Sequence, residues 1–288
     1  MNEPKVECEC HPPRDLAAGE FYGRVVRRQT SPQFLISEVH HDCGRTLPAH
    51  AHRAAYFSLL VEGGYAERYE GRRYEYDPLT VWWHRPGVVH DDAVGHKGGR
   101  FMNVELTSEG MASLADAGLA RRDFHERGTE VVWLACRLLR ELRHWQPCSG
   151  LVAEHLALEM AGSALRHREP PASARPMWLN RVSDKLHSEP NRRHYTSALA
   201  DEAGVHPVYL ASMFRRFYRK TIGEYLRELR VRQAADLLRG GDMPLVQMAV
   251  TLGFADQAHF TRIFGHEVGM PPNVFRRLLR PASEVLGG

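Results

Sequence analysis

Two short stretches toward the C-terminal end carry side chains of the kinds that read base edges. Gln257, Ala258, Thr261 and Arg262 fall at a spacing that puts them on one face of a helix, with His259 at its margin. Glutamine pairs bidentately with adenine and arginine with guanine, so such a face can select bases as well as hold phosphates. Upstream, Val208, Ala211, Ser212, Arg215 and Arg216 share a similar face. It offers methyl contacts for thymine, one hydroxyl and two guanidinium groups, a weaker code than the first. A third constellation consists of His50-Ala51-His52 and, about forty residues on, Pro86-Gly87-Val88-Val89-His90. Alternate residues of a strand share a face, so His50 and His52 can ligate one divalent metal ion together with His90. The same set can instead line a polar ligand pocket. By the same alternation Tyr56, Ser58 and Leu60 face that interior, and His84 and Cys43 are further candidates without an assigned role.

The base-reading stretches sit in a pattern that occurs twice. Ala200 to Val205 reads as the end of a short helix and a glycine turn, leading into a second helix anchored by Leu210 and Phe214; Ala249 to Phe254 does the same, leading into Phe260 and Phe264. Two helix-turn-helix units, at about 197–218 and 245–266, can place two helices in successive major grooves. In the first, Thr196 is the expected N-cap, Gly204 supplies the positive φ of the turn, and Pro207 suits the first turn of the next helix. Leu210, Met213, Phe214 and Phe217 are its expected core, as are Phe260, Ile263 and Phe264 in the second. The connection from Ile222 to Arg239 reads as a helix with Leu226, Leu229, Ala234, Leu237 and Leu238 inward. Its length, on the order of 25 Å, suits a strut holding two reading helices about 34 Å apart, one turn of B-DNA.

The first half has a different texture. Between about residues 21 and 108, runs such as Phe34 to Val39, Tyr56 to Val61 and Thr80 to Trp83 are rich in β-branched and aromatic residues and are separated by Gly, Pro and Asp. They predict strands of a small sandwich or barrel. From Val131 to Trp145 the period becomes helical, and Leu151 to Leu165 continues as a second helix. Residues 109–168 are therefore expected to form a helical region used in dimerisation, since regulators of paired half-sites are commonly symmetric dimers. Arg168 to Pro176 holds three prolines and reads as a linker, 169–177, before an all-helical domain over 178–282. The expected fold class is thus α+β and multidomain.

Charge follows the same division. The net charge is +3, but from Arg175 onward basic residues outnumber acidic ones, whereas the first 174 residues are net acidic. Phosphate binding requires such a bias. No long apolar run and no apolar signal core near Met1 are present, so a cytoplasmic protein away from membranes is expected. Five scattered cysteines argue against a disulfide framework. Cys8-Glu9-Cys10-His11, in a segment 1–20 read as flexible, has thiol and imidazole donors suited to a soft metal or a redox pair.

Residues 178–280 resemble the DNA-binding domain of the AraC/XylS family of transcription regulators. The second unit carries that signature as Ala249, Gly253-Phe254, Phe260, Phe264, Gly269, Pro271-Pro272 and Phe275-Arg276, and the first as Leu199-Ala200, Leu210, Phe214, Tyr225-Leu226 and Arg230. Ala211 and Asp256 depart from the usual residues. The histidine motifs resemble those of the cupin barrel, except that a glutamate expected shortly after the second histidine is replaced by Tyr56 and Phe57. The resemblance implies a homodimeric, non-enzymatic regulator that binds double-stranded operator DNA. A small-molecule effector, or a divalent metal at the histidines, would be held in a cupin-like domain, and RNA polymerase would be the partner of an activator. The alternative is a metal-dependent cupin enzyme, an oxygenase or isomerase, with a helical appendage; the absent glutamate and the basic helix faces weigh against it.

Overall fold

The computed structural model describes residues 13–114, 124–166 and 175–280. The Cys8–His11 motif and most of the 169–177 segment lie outside these residues. The chain divides into two compact units, residues 1–125 and 126–288. The architecture is α+β: a large sheet in the first unit, helices in the second.

The described strands of the first unit are β1 (Arg14–Leu16), β2 (Arg24–Thr30), β3 (Phe34–His41), β4 (Thr46–His52), β5 (Tyr56–Tyr69), β6 (Arg72–Tyr76), β7 (Thr80–His84) and β8 (His90–Leu106), followed by α1 (Ser108–Leu114) and, at the unit boundary, β9 (Phe124–Arg127). Two long strands organise them. The first part of β8 pairs antiparallel with β4 and its later part with β3, while β5 pairs with β8 along its length and with β7 and then β6 on its other edge. Both long strands bend at glycines. Register shifts fall between Leu60 and Glu62 and between Gly63 and Tyr65. Gly63 has φ 94°, and a Cβ there would lie 2.0 Å from the Gly98 carbonyl oxygen, so only glycine lets the strands approach this closely.

The second unit contains α2 (Glu130–Arg143), α3 (Ser149–Arg166), α4 (Met177–Ser188), α5 (Thr196–Ala203), α6 (Pro207–Tyr218), α7 (Ile222–Gly240), α8 (Leu245–Thr251), α9 (Gln257–Val268) and α10 (Pro272–Leu279). Leu179, Val182 and Leu186 of α4 pack with Leu199 and Ala200 of α5, Leu210 and Phe214 of α6, and Ile222, Leu226 and Leu229 of α7. A second core stacks Phe254, Phe260, Phe264 and Phe275 edge to face or tilted, with successive ring centroids 5.2, 5.8 and 5.3 Å apart. The helix α7 packs against α6, α9 and α10, so one helix belongs to both cores.

Several local expectations shift. The helix α5 begins at Thr196 with Tyr195 in the N-cap position and no side-chain cap, because the Tyr195 backbone is the extended one. Met213, Phe217, Leu237 and Ile263 are half-buried instead of core, since each sits at the edge of its helix's buried stripe. Trp145 falls beyond the end of α2. The domain division also differs from that read in the sequence: α2 and α3 group with the DNA-binding half. The reason is contact chemistry within the second unit: Trp133 of α2 meets Phe275 of α10 edge-on at 6.0 Å, and Arg143 donates to the Leu278 carbonyl at 2.5 Å.

Candidate nucleic-acid interface and sheet cavity

Each helix-turn-helix is set by its turn. Gly204 ends α5 at φ 69° in open space. Gly253 follows α8 at φ 72°, and a Cβ there would come 2.3 Å from the Asn191 carbonyl oxygen. Asp256 then caps α9, its carboxylate accepting from the His259 backbone N–H at 2.7 Å. The capping box of α7 is reciprocal: Thr221 Oγ1 accepts from Glu224 N at 3.2 Å, and Thr221 N donates to the Glu224 carboxylate at 2.7 Å.

On α6, Val208, Ala211, Ser212, Arg215 and Arg216 are all exposed, while Leu210 and Phe214 are buried behind them. On α9, Gln257, Ala258 and Arg262 are exposed, Thr261 and His259 half-buried, and Phe260 and Phe264 buried. The His259 ring is partly committed to the turn: Nδ1 accepts from Ala255 N at 3.4 Å, and the ring meets Phe254 edge-on. Tyr209, half exposed beside Val208, belongs to the same surface and was not singled out in the sequence.

Arg230 of α7 joins the two heads. Its guanidinium donates to the carbonyls of Pro190 at 2.8 Å, Gly253 at 3.0 Å and Arg192 at 3.1 Å. The turn of the second unit is thereby tied to the segment that enters the first. Its planar fork of five donors is suited to this; a lysine ammonium would not span three carbonyls.

The histidines meet in the first unit. Cross-strand register places His50 of β4 opposite His90 of β8, with His52 two residues on, and Glu67 of β5 opposite Asp92 of β8. Ligand atoms of His50, His52 and His90 lie within 4.8 Å of one another, as do those of Glu67, His90 and Asp92. The cavity, about 30 Å³, is lined by these three histidines, Asp92, Tyr56, Ser58, Asn103 and Tyr65 among others. Leu60, expected to face it, lies instead in a neighbouring cluster with Tyr76, Trp82 and Phe101, because the strand bends there. Cys43 is exposed and outside the lining.

Two carboxyl groups lie buried near the histidines, neither of them at Tyr56 or Phe57. The side chains of Glu67 and Asp92 are 0% and 2% exposed. Strict alternation from Tyr56 would turn even-numbered residues inward, but the register shifts reverse the parity, so Glu67 points in. His84 Nε2 stands 2.8 Å from Glu67 Oε1, and the Tyr76 hydroxyl donates to Glu67 Oε2 at 3.2 Å. Burial holds His52 down to about 2 and His90 to about 4, and lowers His50, so all three imidazoles are neutral near pH 7. Burial also raises Asp92 well above the usual carboxylate range.

The geometry defines a helix-turn-helix protein, and residues 199–278 match the family model described as a helix-turn-helix domain. A putative AraC-like transcription regulator of Streptomyces lividans is 33% identical over 156 residues, covering 51% of each chain. Regulatory protein SoxS of Salmonella typhimurium is 36% identical over 81 residues, 28% of this chain and 76% of its own. The chain belongs to the AraC family of transcription regulators. It spans about half the length of the first relatives it matches. ToxT from Vibrio cholerae is similar over 86% of this chain and all of its own, at 11% identity and TM-score 0.37. The Streptomyces and Salmonella relatives are named as regulators, and neither name supports the metal-dependent enzyme. No described helix is long and apolar enough to cross a membrane.

Proposed function

We propose that the protein is a sequence-specific regulator that grips operator DNA with α6 and α9 together, as a homodimer, under control of an effector held in a cupin-like first unit. The observation that carries this is the pair of outward faces, Arg215 and Arg216 on α6 and Gln257 and Arg262 on α9, hung from one shared helix. At 19 residues α7 is about 28 Å long, the scale of one DNA turn. Base selection falls mainly to Gln257 and Arg262, with Val208, Ala211, Ser212, Ala258 and Thr261 supplying shape and methyl contacts. Tyr56, Ser58, His50, His52 and His90 form the effector cavity. The setting is the cytoplasm, and RNA polymerase is the partner where the protein activates.

Selection of bound fragments from the source genome, repeated across salt concentrations, tests this. The expected outcome is a small set of enriched sites whose affinity falls steeply with salt, as released counterions require. No enrichment at low salt contradicts it.

A further inference from the structure

The histidine end of the sheet cavity is built of acceptors. His50 Nδ1 lies 2.9 Å from the Pro48 carbonyl and His90 Nδ1 lies 3.0 Å from that of Val88. A carbonyl only accepts, so both Nδ1 atoms carry the ring proton and each neutral ring is an acceptor at Nε2. His52 Nδ1 and Asp92 Oδ1 are buried at the same place without a hydrogen-bond partner. Buried polar atoms of this kind find their partner in a ligand or in water.

The charge of the wall narrows the class of ligand. Among the described residues that line the cavity there is no lysine or arginine, and the one carboxyl group is that of Asp92. Nothing there answers a carboxylate or a phosphate. Aromatic rings stand around the histidines: the Phe21 centroid is 5.5 Å from that of His52, Tyr22 is 5.0 Å from His50, and Tyr56 is 4.7 Å from His52. Tyr65, Trp82 and Phe101 also line the cavity. Aromatic faces attract a cation within about 6 Å.

Geometry and volume narrow it further. One ring nitrogen from each of His50, His52 and His90 lies within 4.8 Å of the others. The N–H bonds of an ammonium group diverge tetrahedrally and, at about 2.9 Å to each acceptor, reach acceptors about 4.7 Å apart. His50 Nε2 is 3.6 Å from Asp92 Oδ2, so a negative counter-charge stands beside the same spot. A water takes roughly 10–15 Å³ of such volume, and the cavity of about 30 Å³ therefore holds a ligand of about two or three non-hydrogen atoms.

We propose that the cavity binds a short primary alkylammonium, with its N–H groups donating to His50, His52 and His90, its charge balanced by Asp92 and its carbon tail among the aromatic rings, and that this amine is the effector of the regulator. Binding stands on the cavity alone; the effector role rests on the regulatory reading above.

The test uses the full chain, freed of metal by a chelator, in ligand-observed NMR titrations with methylammonium, ethylammonium, tetramethylammonium, ethanol and acetate. The expected result is one methylammonium or ethylammonium per chain, with dissociation constants on the order of 1 mM, which is what so few atoms can supply. Tetramethylammonium has no N–H, ethanol no charge and acetate the wrong charge, so each should bind about 10-fold more weakly or worse. Asp92→Asn, whose shape is nearly that of the native residue, should weaken ethylammonium binding by about 10-fold or more while keeping the native circular dichroism. If that variant does not fold, the series of probes on the unaltered protein decides. Failure of both primary amines to bind, equal binding of tetramethylammonium, or a folded Asp92→Asn protein of unchanged affinity overturns the site. Affinity for a selected DNA fragment should differ several-fold between saturating ethylammonium chloride and the same concentration of tetramethylammonium chloride; equal affinity overturns the amine as effector. Loss of DNA binding in both salts instead sinks the regulatory reading and leaves the amine result standing.

Discussion

Arg262 and Glu67 show what a single side chain discloses in advance. Arg262 was legible because helical spacing alone puts it opposite Phe260 and Phe264, and the structure leaves it exposed there. Arg262→Ala should weaken a cognate site by about 1–3 kcal/mol and relax base preference at one position, read by binding titrations against a panel of substituted sites. An unchanged panel would show that α9 does not read that base. Glu67 was not legible, because its inward direction depends on a bend that reverses strand parity, and only Gly63-Gly64 hinted at one. Arg230 stood in the sequence as a motif residue without a task; its three carbonyl partners are separated from it by 23 to 40 residues, beyond any local pattern. Glu105 is similar. It accepts two contacts from Gly19 N, at 2.9 and 3.0 Å, and burial raises its pKa from 4.5 to about 7. The native carboxyl therefore binds a proton that the unfolded chain releases between these values, and stability falls as pH rises from about 4.5 through 7. The effect is on the order of 3 kcal/mol. His41, lowered to about 4 by burial, has the opposite sign below 6.5, since there the unfolded chain binds the extra proton. Thermal melts of wild type and Glu105→Gln isolate the first term: their difference should change between pH 5 and pH 8, and a constant difference would contradict the assignment.

At the level of elements, glycine punctuation and apolar period located α2, α3, α5, α7 and the two helix-turn-helix spans to within about two residues, whereas α4 and α10 were legible only as parts of an all-helical stretch. The two glycine turns were legible as well, with the positive φ expected at Gly204 and found at both Gly204 and Gly253. The two glycines differ in what surrounds them. Gly204 faces open space, whereas Gly253 abuts the Asn191 carbonyl, so replacing the second adds a clash to the left-handed strain. Gly204→Ala should cost on the order of 1–2 kcal/mol. Gly253→Ala should cost clearly more and loosen the second head, which chemical denaturation of the two variants side by side will show. Equal losses would mean that the approach to Asn191 relaxes freely. The role of α2 was not legible: its apolar stripe was visible, but period says nothing about which partner covers it. Its contacts with Phe275, and through Arg137 with the Gly269 turn, are tertiary facts.

Across the molecule, the division into a sheet-built unit and a helical one was plain from composition, since β-branched and aromatic runs give way to helical period. The border was not, because prolines mark where a helix stops and not where a core ends. The regulatory account depends on two heads that share α7 and the Arg230 clamp entering one face of one duplex. Hydroxyl-radical footprinting of the full-length protein on a selected fragment tests this most directly. The account predicts two protected stretches on the same face, spaced by about one helical turn of 10–10.5 base pairs, both weakened when Arg230 is replaced by alanine. A single protected stretch, or two on opposite faces of the duplex, would contradict it.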